Sequence, residues 1–339
     1  MLDPSLRGIA WGLRPVGAWS FMTKYLVLCL LLIAIPGASA GGGGLAPEFA
    51  GYVVKVGLAG EDPDPSPADA VPDMTKACEQ VSFTRSLRYG ESEQNVLDVA
   101  TGGSDTAPAS PRPVLLFVAG ESFSGDNAAP AATDPLQDAA MCFAARNGMV
   151  GVRVNYRLAP AHPWPSGARD VAAATSWIHQ NIDLFGGSRD EIVAIGYSVG
   201  AFHVASLLAH PEFQDGDSNI AGAVLVSGIY RPSTDASAEE KSYFGSDPGQ
   251  YNARSAFPGI LNIETPLLLA WSALDPPRLV NEGEKLKEML CNSATHCPHT
   301  TVLRDRESIA SVFGPDPSGG GLGQPTLELV REIEARGLP

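Results

Sequence analysis

Residues 192–200 read Ile-Val-Ala-Ile-Gly-Tyr-Ser-Val-Gly, an apolar run that ends in the pattern Gly-x-Ser-x-Gly. The apolar run predicts a strand up to Gly196, and residues 199–209 predict a helix that begins directly after Ser198. The two glycines leave room for a sharp turn that lifts the Ser198 hydroxyl clear of a sheet. A simple tight turn is the alternative, but the strand before and the helix after favour a functional serine.

Strand and helix patterns alternate on both sides of this turn, which predicts an α/β fold with a mostly parallel sheet and helices on both of its faces. The predicted strands cover residues 83–89, 95–100, 113–119, 149–156, 192–197, 221–227, 266–274 and 300–304. The predicted helices cover residues 135–147, 167–182, 199–209, 281–290 and 327–335. Residues 231–262, called the lid segment below, have little periodicity and would lie over one end of the sheet.

Several stretches resemble the carboxylesterase and hormone-sensitive-lipase-like branch of the α/β-hydrolase superfamily, and the resemblance covers residues 83–336. Asn155-Tyr-Arg-Leu-Ala-Pro160, followed by His162-Pro-Trp-Pro, is similar to the family's N-Y-R-L-A-P-E-H-P-F-P. Phe185-Gly-Gly-Ser-Arg-Asp190 is similar to its F-G-G-D-P-D turn, and residues 196–203 resemble its G-x-S-A-G-A-H turn. The resemblance implies an eight-stranded α/β-hydrolase fold with a small lid, and ester hydrolysis with Ser198 as the nucleophile.

The resemblance also implies a catalytic acid, because Leu274-Asp-Pro-Pro277 is similar to the family's L-D-P-P stretch. Asp275 follows a continuous apolar strand, and α/β sheets place their ligand groups at the carboxyl ends of the strands. An aspartate before a proline is also common in plain turns. Position and match together favour the role of acid for Asp275.

The oxyanion loop departs from the family pattern, because residues 119–123 read Ala-Gly-Glu-Ser-Phe where the family has H-G-G-G-F. The match implies that the backbone N–H groups of Glu121 and Ser122, together with that of Val199, form the oxyanion hole. Residues other than glycine adopt glycine's backbone angles only at a cost. A Glu121 carboxylate that pointed inward would also oppose a developing negative charge.

The larger departure is the catalytic histidine, because Ser308 stands at the position that the family gives to it, and no histidine follows His299. Asp305 or Glu307 would be a carboxylate base in the same loop, although a solvated polar loop is the favoured interpretation. The chain has six histidines. His203 is expected to be buried and hydrogen-bonded, and His162 to be structural. The others are expected in solvent near helix ends or at the wrong end of the last strand: His179, His210, His296 and His299.

A serine hydroxyl is a poor nucleophile without an adjacent base, so the sequence supports three hypotheses. The first is a carboxylic-ester hydrolase with a degenerate triad and weak or altered activity on a small-molecule acyl ester. The second is a catalytically inactive binding protein with the same fold. The third is a non-hydrolytic enzyme that uses Ser198 or Glu121 differently, since a fold does not determine a function.

The amino-terminal region predicts export. Lys24 precedes an apolar run over residues 25–35, and Ala38-Ser-Ala40 forms a small-residue cleavage site. Residues 1–40 therefore predict a signal peptide, and Met22 is a better starting residue for that peptide. A membrane-spanning helix needs about 20 apolar residues, so we expect a secreted or periplasmic protein without stable membrane insertion. Residues 41–75 predict a Gly/Pro-rich linker or arm, and residues 76–339 the hydrolase domain.

Composition and cysteine content limit the ligands, cofactors and disulfides that we expect. The 339 residues are 44% hydrophobic and carry a net charge of -15, which allows a large core and disfavours binding to nucleic acid phosphates. No cysteine or histidine cluster has metal-site spacing, so no metal or cofactor is expected. After Cys29, in the apolar run, come Cys78, Cys142, Cys291 and Cys297, which allow three disulfide connectivities. Cys291–Cys297, which closes a short loop, is the first expectation.

Overall fold

The computed structural model describes residues 78–103, 110–120, 122–125, 135–214, 219–293, 297–303, 313 and 321–337. The signal peptide and linker predictions and four predicted loop residues, Glu121, Asp305, Glu307 and Ser308, lie outside these residues. Within them, no helix is both long and apolar enough to cross a bilayer.

The sheet has eight strands: β1 (Val81–Arg88), β2 (Val96–Gly102), β3 (Arg112–Val118), β4 (Val150–Val154), β5 (Gly187–Tyr197), β6 (Gly222–Val226), β7 (Leu267–Ser272) and β8 (His299–Leu303). Their order is β1-β2-β4-β3-β5-β6-β7-β8. Only the pairs β1–β2 and β2–β4 are antiparallel. The predicted eight-stranded, mostly parallel sheet is therefore confirmed.

The α-helices in the described residues are α1 (Pro135–Arg146), α2 (Ser166–Asn181), α3 (Val199–Ala209), α4 (Ala238–Phe244), α5 (Pro277–Ser293) and α6 (Gly323–Arg336). One face of the sheet packs against α2, α3 and α5, and the other face packs against α1 and α6. Strand β3 divides its side chains between the two cores, since Leu116 faces the first and Phe117 the second. Helices therefore cover both faces of the sheet, as predicted.

Several predicted boundaries are wrong, those of β5 and α5 among them, and the lid segment contains a helix that its lack of periodicity did not predict. Strand β5 begins at Gly187, five residues before the predicted start, because Gly187 pairs with Arg112 of β3 despite the polar residues that follow it. Helix α5 begins at Pro277, where a first-turn proline removes an N–H that has no partner in the helix. In the lid segment, a capping box between Ser237 and Glu240 starts α4.

Two disulfides join distant and neighbouring parts of the domain. Cys78 pairs with Cys142 of α1, across a sequence separation of 64 residues. Cys291 pairs with Cys297, which links the end of α5 to the residues before β8. The expected Cys291–Cys297 pair is confirmed, and it settles the choice among the three connectivities.

The predicted environment of His203 is only half right. Its side chain is buried, with 1% of the residue exposed, but neither ring nitrogen has a hydrogen-bond partner among the residues that the structure describes. The ring packs against aromatic side chains, with centroid distances of 4.6 Å to Tyr156 and 5.5 Å to Tyr243, and the backbone of Gly167 closes over it. Burial lowers the pKa of His203 to about 3, because the charged imidazolium would lose its hydration. His203 is therefore neutral at physiological pH.

This buried imidazole predicts a loss of stability in mild acid. The unfolded chain binds the proton more tightly than the folded chain between pH of about 3 and about 6.5, so the free energy of unfolding falls as the pH falls through that window. Between pH 7 and pH 5 the loss from this residue is about 2 kcal/mol. Urea unfolding of His203→Leu should show a pH dependence that is weaker by about that amount, whereas His179→Gln keeps the wild-type dependence. An equal loss in His203→Leu and wild type would contradict this.

Candidate active site

The turn after β5 carries Ser198 in an unusual backbone conformation. Its φ is 52° and its ψ is -114°, a region that residues with a side chain rarely occupy. The Ser198 N–H donates to the carbonyl of Val226, at the end of the neighbouring strand β6, over 2.8 Å. The strain is thus on the serine itself, and pairing across the sheet edge holds the residue in place.

Glycines surround this turn because backbone packs directly on backbone there. A Cβ at Gly196 would lie 2.5 Å from the Cα of Ala201, and one at Gly200 would lie 2.0 Å from the carbonyl oxygen of Val118. A Cβ at Gly120 would lie 1.7 Å from the carbonyl oxygen of Tyr197. The expected need for glycine at 196 and 200 is confirmed, and Gly120 of the oxyanion loop has the same need.

The oxyanion loop meets the turn at Gly120. Val199 is the first residue of α3, so its N–H is among the donors that a helix leaves without an internal acceptor. Gly120 is so close that a Cβ on it would lie 2.7 Å from the Val199 nitrogen. The Gly120 backbone therefore lies beside the Val199 nitrogen, and the candidate Glu121 is outside the described residues. The Ser122 hydroxyl binds the carboxylate of Glu239, a residue of the lid segment.

Asp275 lies in the turn between β7 and α5, and two donors reach one of its oxygens. The Ser227 hydroxyl donates to Oδ2 over 2.6 Å, and the Ser272 N–H donates to the same atom over 2.9 Å. Ser227 directly follows β6 and also has a positive φ, of 49°. The carboxylate is therefore oriented by the ends of two neighbouring strands. Ser227 carried no sequence signal other than its place at the end of a predicted strand, residues 221–227.

Ser198 and Asp275 lie at the same edge of the sheet, because the carboxyl ends of parallel strands meet there. They follow β5 and β7, which are separated by β6. Neighbouring strands are about 4.8 Å apart, so the two backbones are about 10 Å apart, a gap that an imidazole between two side chains fills. The next strand, β8, ends at Leu303, and Ser308, which by resemblance stands at the family's histidine position, lies outside the described residues.

Four of the described histidines have the following surroundings. His299 is at the amino end of β8, where it pairs with Glu332 over 3.0 Å, and His179 binds the carbonyl oxygen of Asn219 over 3.0 Å. His210 was expected in solvent, but only 15% of its side chain is exposed, and it contacts Glu212 and the Ser255 carbonyl. His203 is sealed in the core.

Glu239 is a site residue that the sequence did not indicate. It lies in the first turn of α4, and its Oε1 accepts a hydrogen bond from the Phe123 N–H over 2.7 Å, in addition to the Ser122 hydroxyl. The capping-box pattern at residues 237–240 was a usable signal for the helix. The contact of Glu239 with Ser122 and Phe123, which lie more than a hundred residues earlier in the chain, had no local sequence signal.

Comparisons with known proteins agree with the α/β-hydrolase fold. A family model described as the alpha/beta hydrolase fold matches residues 115–260. Esterase LipQ of Mycobacterium tuberculosis is 30% identical over 249 residues, which are 69% of this chain and 56% of that protein. Para-nitrobenzyl esterase of Bacillus subtilis is 30% identical over 198 residues, which are 52% of this chain and 39% of that protein. The chain thus spans about half the length, or less, of these relatives.

Solved structures resemble the chain in fold. An inhibited form of esterase B from Lactobacillus rhamnosis superposes with a TM-score of 0.62 at 15% identity, covering 76% of this chain and 89% of that one. A hyperthermophilic esterase from Pyrobaculum calidifontis superposes with a TM-score of 0.52 at 18% identity, covering 78% and 88%. These identities are low, so the two structures support the fold alone.

The packing at Gly120 predicts a position-specific cost. Gly120→Ala places a methyl group 1.7 Å from a backbone oxygen that cannot move away, so we expect a loss of about 3 kcal/mol or more in the free energy of unfolding by urea. Gly125→Ala is the matched control in the same loop, because its methyl group meets only the flexible end of Leu158, at 3.2 Å. It should cost less than about 1 kcal/mol. Equal losses at the two positions would refute this account of the turn.

Proposed function

Because the chain belongs to the α/β-hydrolase superfamily and falls in its carboxylesterase and hormone-sensitive-lipase-like branch, we propose that it is a carboxylic-ester hydrolase with a degenerate triad and weak activity. Its ligand is a small-molecule acyl ester or a similar compound. The observation that carries the proposal is the strained Ser198 at the amino end of α3, beside the Val199 N–H. That arrangement keeps a hydroxyl next to unpaired donors, which suits attack on a carbonyl.

The proposed reaction begins when Ser198 Oγ adds to the ester carbonyl carbon, so the carbonyl oxygen becomes an oxyanion. The N–H of Val199 and those of the residues after Gly120 stabilise that charge. The tetrahedral intermediate expels the alcohol, which takes up a proton, and leaves an acyl-serine. Water then releases the carboxylic acid and restores the hydroxyl.

This scheme needs a group that accepts the hydroxyl proton of Ser198. Asp275, held by Ser227 and Ser272, is placed to orient a base, and by resemblance that base follows β8. Ser308 has no basic group, so water or a carboxylate of the same loop has to accept the proton. Loss of the triad histidine lowers turnover by on the order of a million-fold in a well-studied serine protease. We therefore propose slow turnover.

A second candidate is an inactive binding protein in which the pocket is kept and the chemistry is lost. Two observations favour it: Ser308 stands where the family has its histidine, and Glu121 and Ser122 stand where the family has glycines. A non-hydrolytic enzyme that uses Ser198 in another way is the third candidate, and it shares the same pocket.

Steady-state hydrolysis of p-nitrophenyl acetate and butyrate separates these candidates. We expect slow turnover in wild type, its loss in Ser198→Ala, and an increase of at least about tenfold in Ser308→His, because an imidazole restores a base between Ser198 and Asp275. Ser311→His, a neighbouring substitution that adds the same side chain, is the control and should not increase turnover.

Turnover that survives Ser198→Ala would exclude Ser198 as the nucleophile. Absence of turnover in both wild type and Ser308→His would favour the binding protein.

We further propose that the protein is exported, with residues 1–40 as its signal peptide. The sequence pattern supports this, and so do the two disulfides, which are typical of oxidising compartments. Expression in a bacterium that secretes should give a mature chain beginning at Gly41 outside the cytoplasm, as read by amino-terminal sequencing. An uncleaved chain that stays in the cytoplasm would contradict the proposal.

A further inference from the structure

The carboxylate of Glu239 links the lid segment to the oxyanion loop. Its Oε1 accepts the Phe123 backbone N–H over 2.7 Å and the hydroxyl of Ser122. Hydrogen bonds to a charged acceptor are stronger than those between neutral groups. One side chain of α4 therefore holds two consecutive residues of the loop that begins at Gly120.

The same loop is held on its other side by backbone pairing. The Ala159 N–H donates to the Phe123 carbonyl over 3.0 Å, and the Gly125 N–H donates to the Ala159 carbonyl over 2.9 Å. Phe123 thus has its carbonyl bound to the body of the domain and its N–H bound to Glu239. The Ser122 hydroxyl also bonds the backbone of Ser124. Removal of the Glu239 carboxylate therefore takes away the hydrogen bonds that tie residues 122 and 123 to α4, and leaves those within the loop and to Ala159.

Helix α4 is itself firmly placed, which makes it a usable anchor. Ser237 and Glu240 form the capping box, and Arg278 of α5 binds both oxygens of Glu240. Burial acts to raise the pKa of Glu240, but the hydrogen bonds from Arg278 and from the Ser237 backbone outweigh it and lower that pKa below its usual range. The Glu240–Arg278 ion pair therefore persists at neutral pH.

Aromatic packing fixes the other end of α4 against the loop. The Phe123 ring stacks on Tyr243 with a centroid distance of 5.0 Å and meets Phe244 at 4.9 Å. Val199 and Phe202 of α3 belong to the same apolar cluster. The loop, the lid helix and the helix that follows Ser198 thus share one packed core.

Two effects of Glu239 on catalysis oppose each other. Its negative charge repels a developing oxyanion nearby, whereas its hydrogen bonds hold the loop donors in position. The Phe123 N–H and the Ser122 hydroxyl bond the Glu239 carboxylate directly, so this side chain acts on the position of both residues. These direct contacts favour the positional effect.

We propose that Glu239 is a positioning residue for the oxyanion loop, and that it makes the geometry of that loop depend on the lid helix. This inference rests on the proposed hydrolase function. Its direct consequence, an anchored Phe123 amide, does not depend on turnover and can be measured separately.

Two substitutions at Glu239 separate the effect of side-chain length from the effect of charge. Glu239→Asp keeps the charge but shortens the side chain by one methylene, so its carboxylate no longer reaches the Phe123 N–H. Glu239→Gln keeps the reach and an accepting oxygen but loses the charge. Glu284→Asp, at an exposed glutamate of α5, is the matched control for a shortened helix carboxylate.

The first readout is amide hydrogen exchange at Phe123, by mass spectrometry with residue-level fragmentation. We expect exchange to be at least about tenfold faster in Glu239→Asp, the loss that corresponds to one charged hydrogen bond, and within about threefold of wild type in Glu239→Gln and Glu284→Asp. The second readout is hydrolysis of p-nitrophenyl butyrate. There, kcat should fall about tenfold in Glu239→Asp, with KM changed less than about threefold.

Unchanged Phe123 exchange in Glu239→Asp overturns the inference, whatever the activity. Faster exchange in Glu239→Gln but not in Glu239→Asp also overturns it, because charge and not reach would then hold the loop. A change in KM alone would assign Glu239 to substrate binding and contradict positioning. If wild type shows no turnover, the proposed function fails, and the exchange result alone decides the inference.

Discussion

Backbone packed against backbone, at the turn after β5, is the constraint on which the rest of the site depends. At Gly120, Gly196 and Gly200 neighbouring backbone occupies the space that a methyl group would need, and Ser198 in the same turn has a positive φ. Such strain persists only where the surroundings over-determine it, and here two cores on opposite faces of the sheet supply that support. The serine is therefore held in place by the fold, independently of any catalytic partner.

Position and activation are separate properties in this site. The turn and the Val199 N–H present a hydroxyl next to donors, and Ser227 with Ser272 orients the carboxylate of Asp275. Activation needs a base between them, and by resemblance to the family its position is that of Ser308, which lies outside the described residues. Under the proposal that this base is missing, the same scaffold is compatible with a slow hydrolase and with a binding protein.

The sheet and the turn were predictable because their signals are local. Apolar runs such as residues 113–119 are buried on both faces, and the glycine spacing around Ser198 lies within five residues. Three features were not predictable, because each depends on a partner far along the chain. Strand β5 extends to Gly187 through Arg112, His203 lacks a hydrogen bond because Gly167 and aromatic rings enclose it, and Glu239 reaches Phe123. Periodicity and motif spacing carry no information on such pairs.

The central claim, that Ser198 is in position but unactivated, is tested most directly by its rate of modification with a fluorophosphonate, followed by intact-mass spectrometry and peptide mapping. The reagent reacts with a serine in proportion to its activation. We predict a slow single adduct at Ser198, formed at a rate that rises in Ser308→His. Rapid, stoichiometric labelling of the wild-type protein would contradict the account, because it would require a base that acts on Ser198 already.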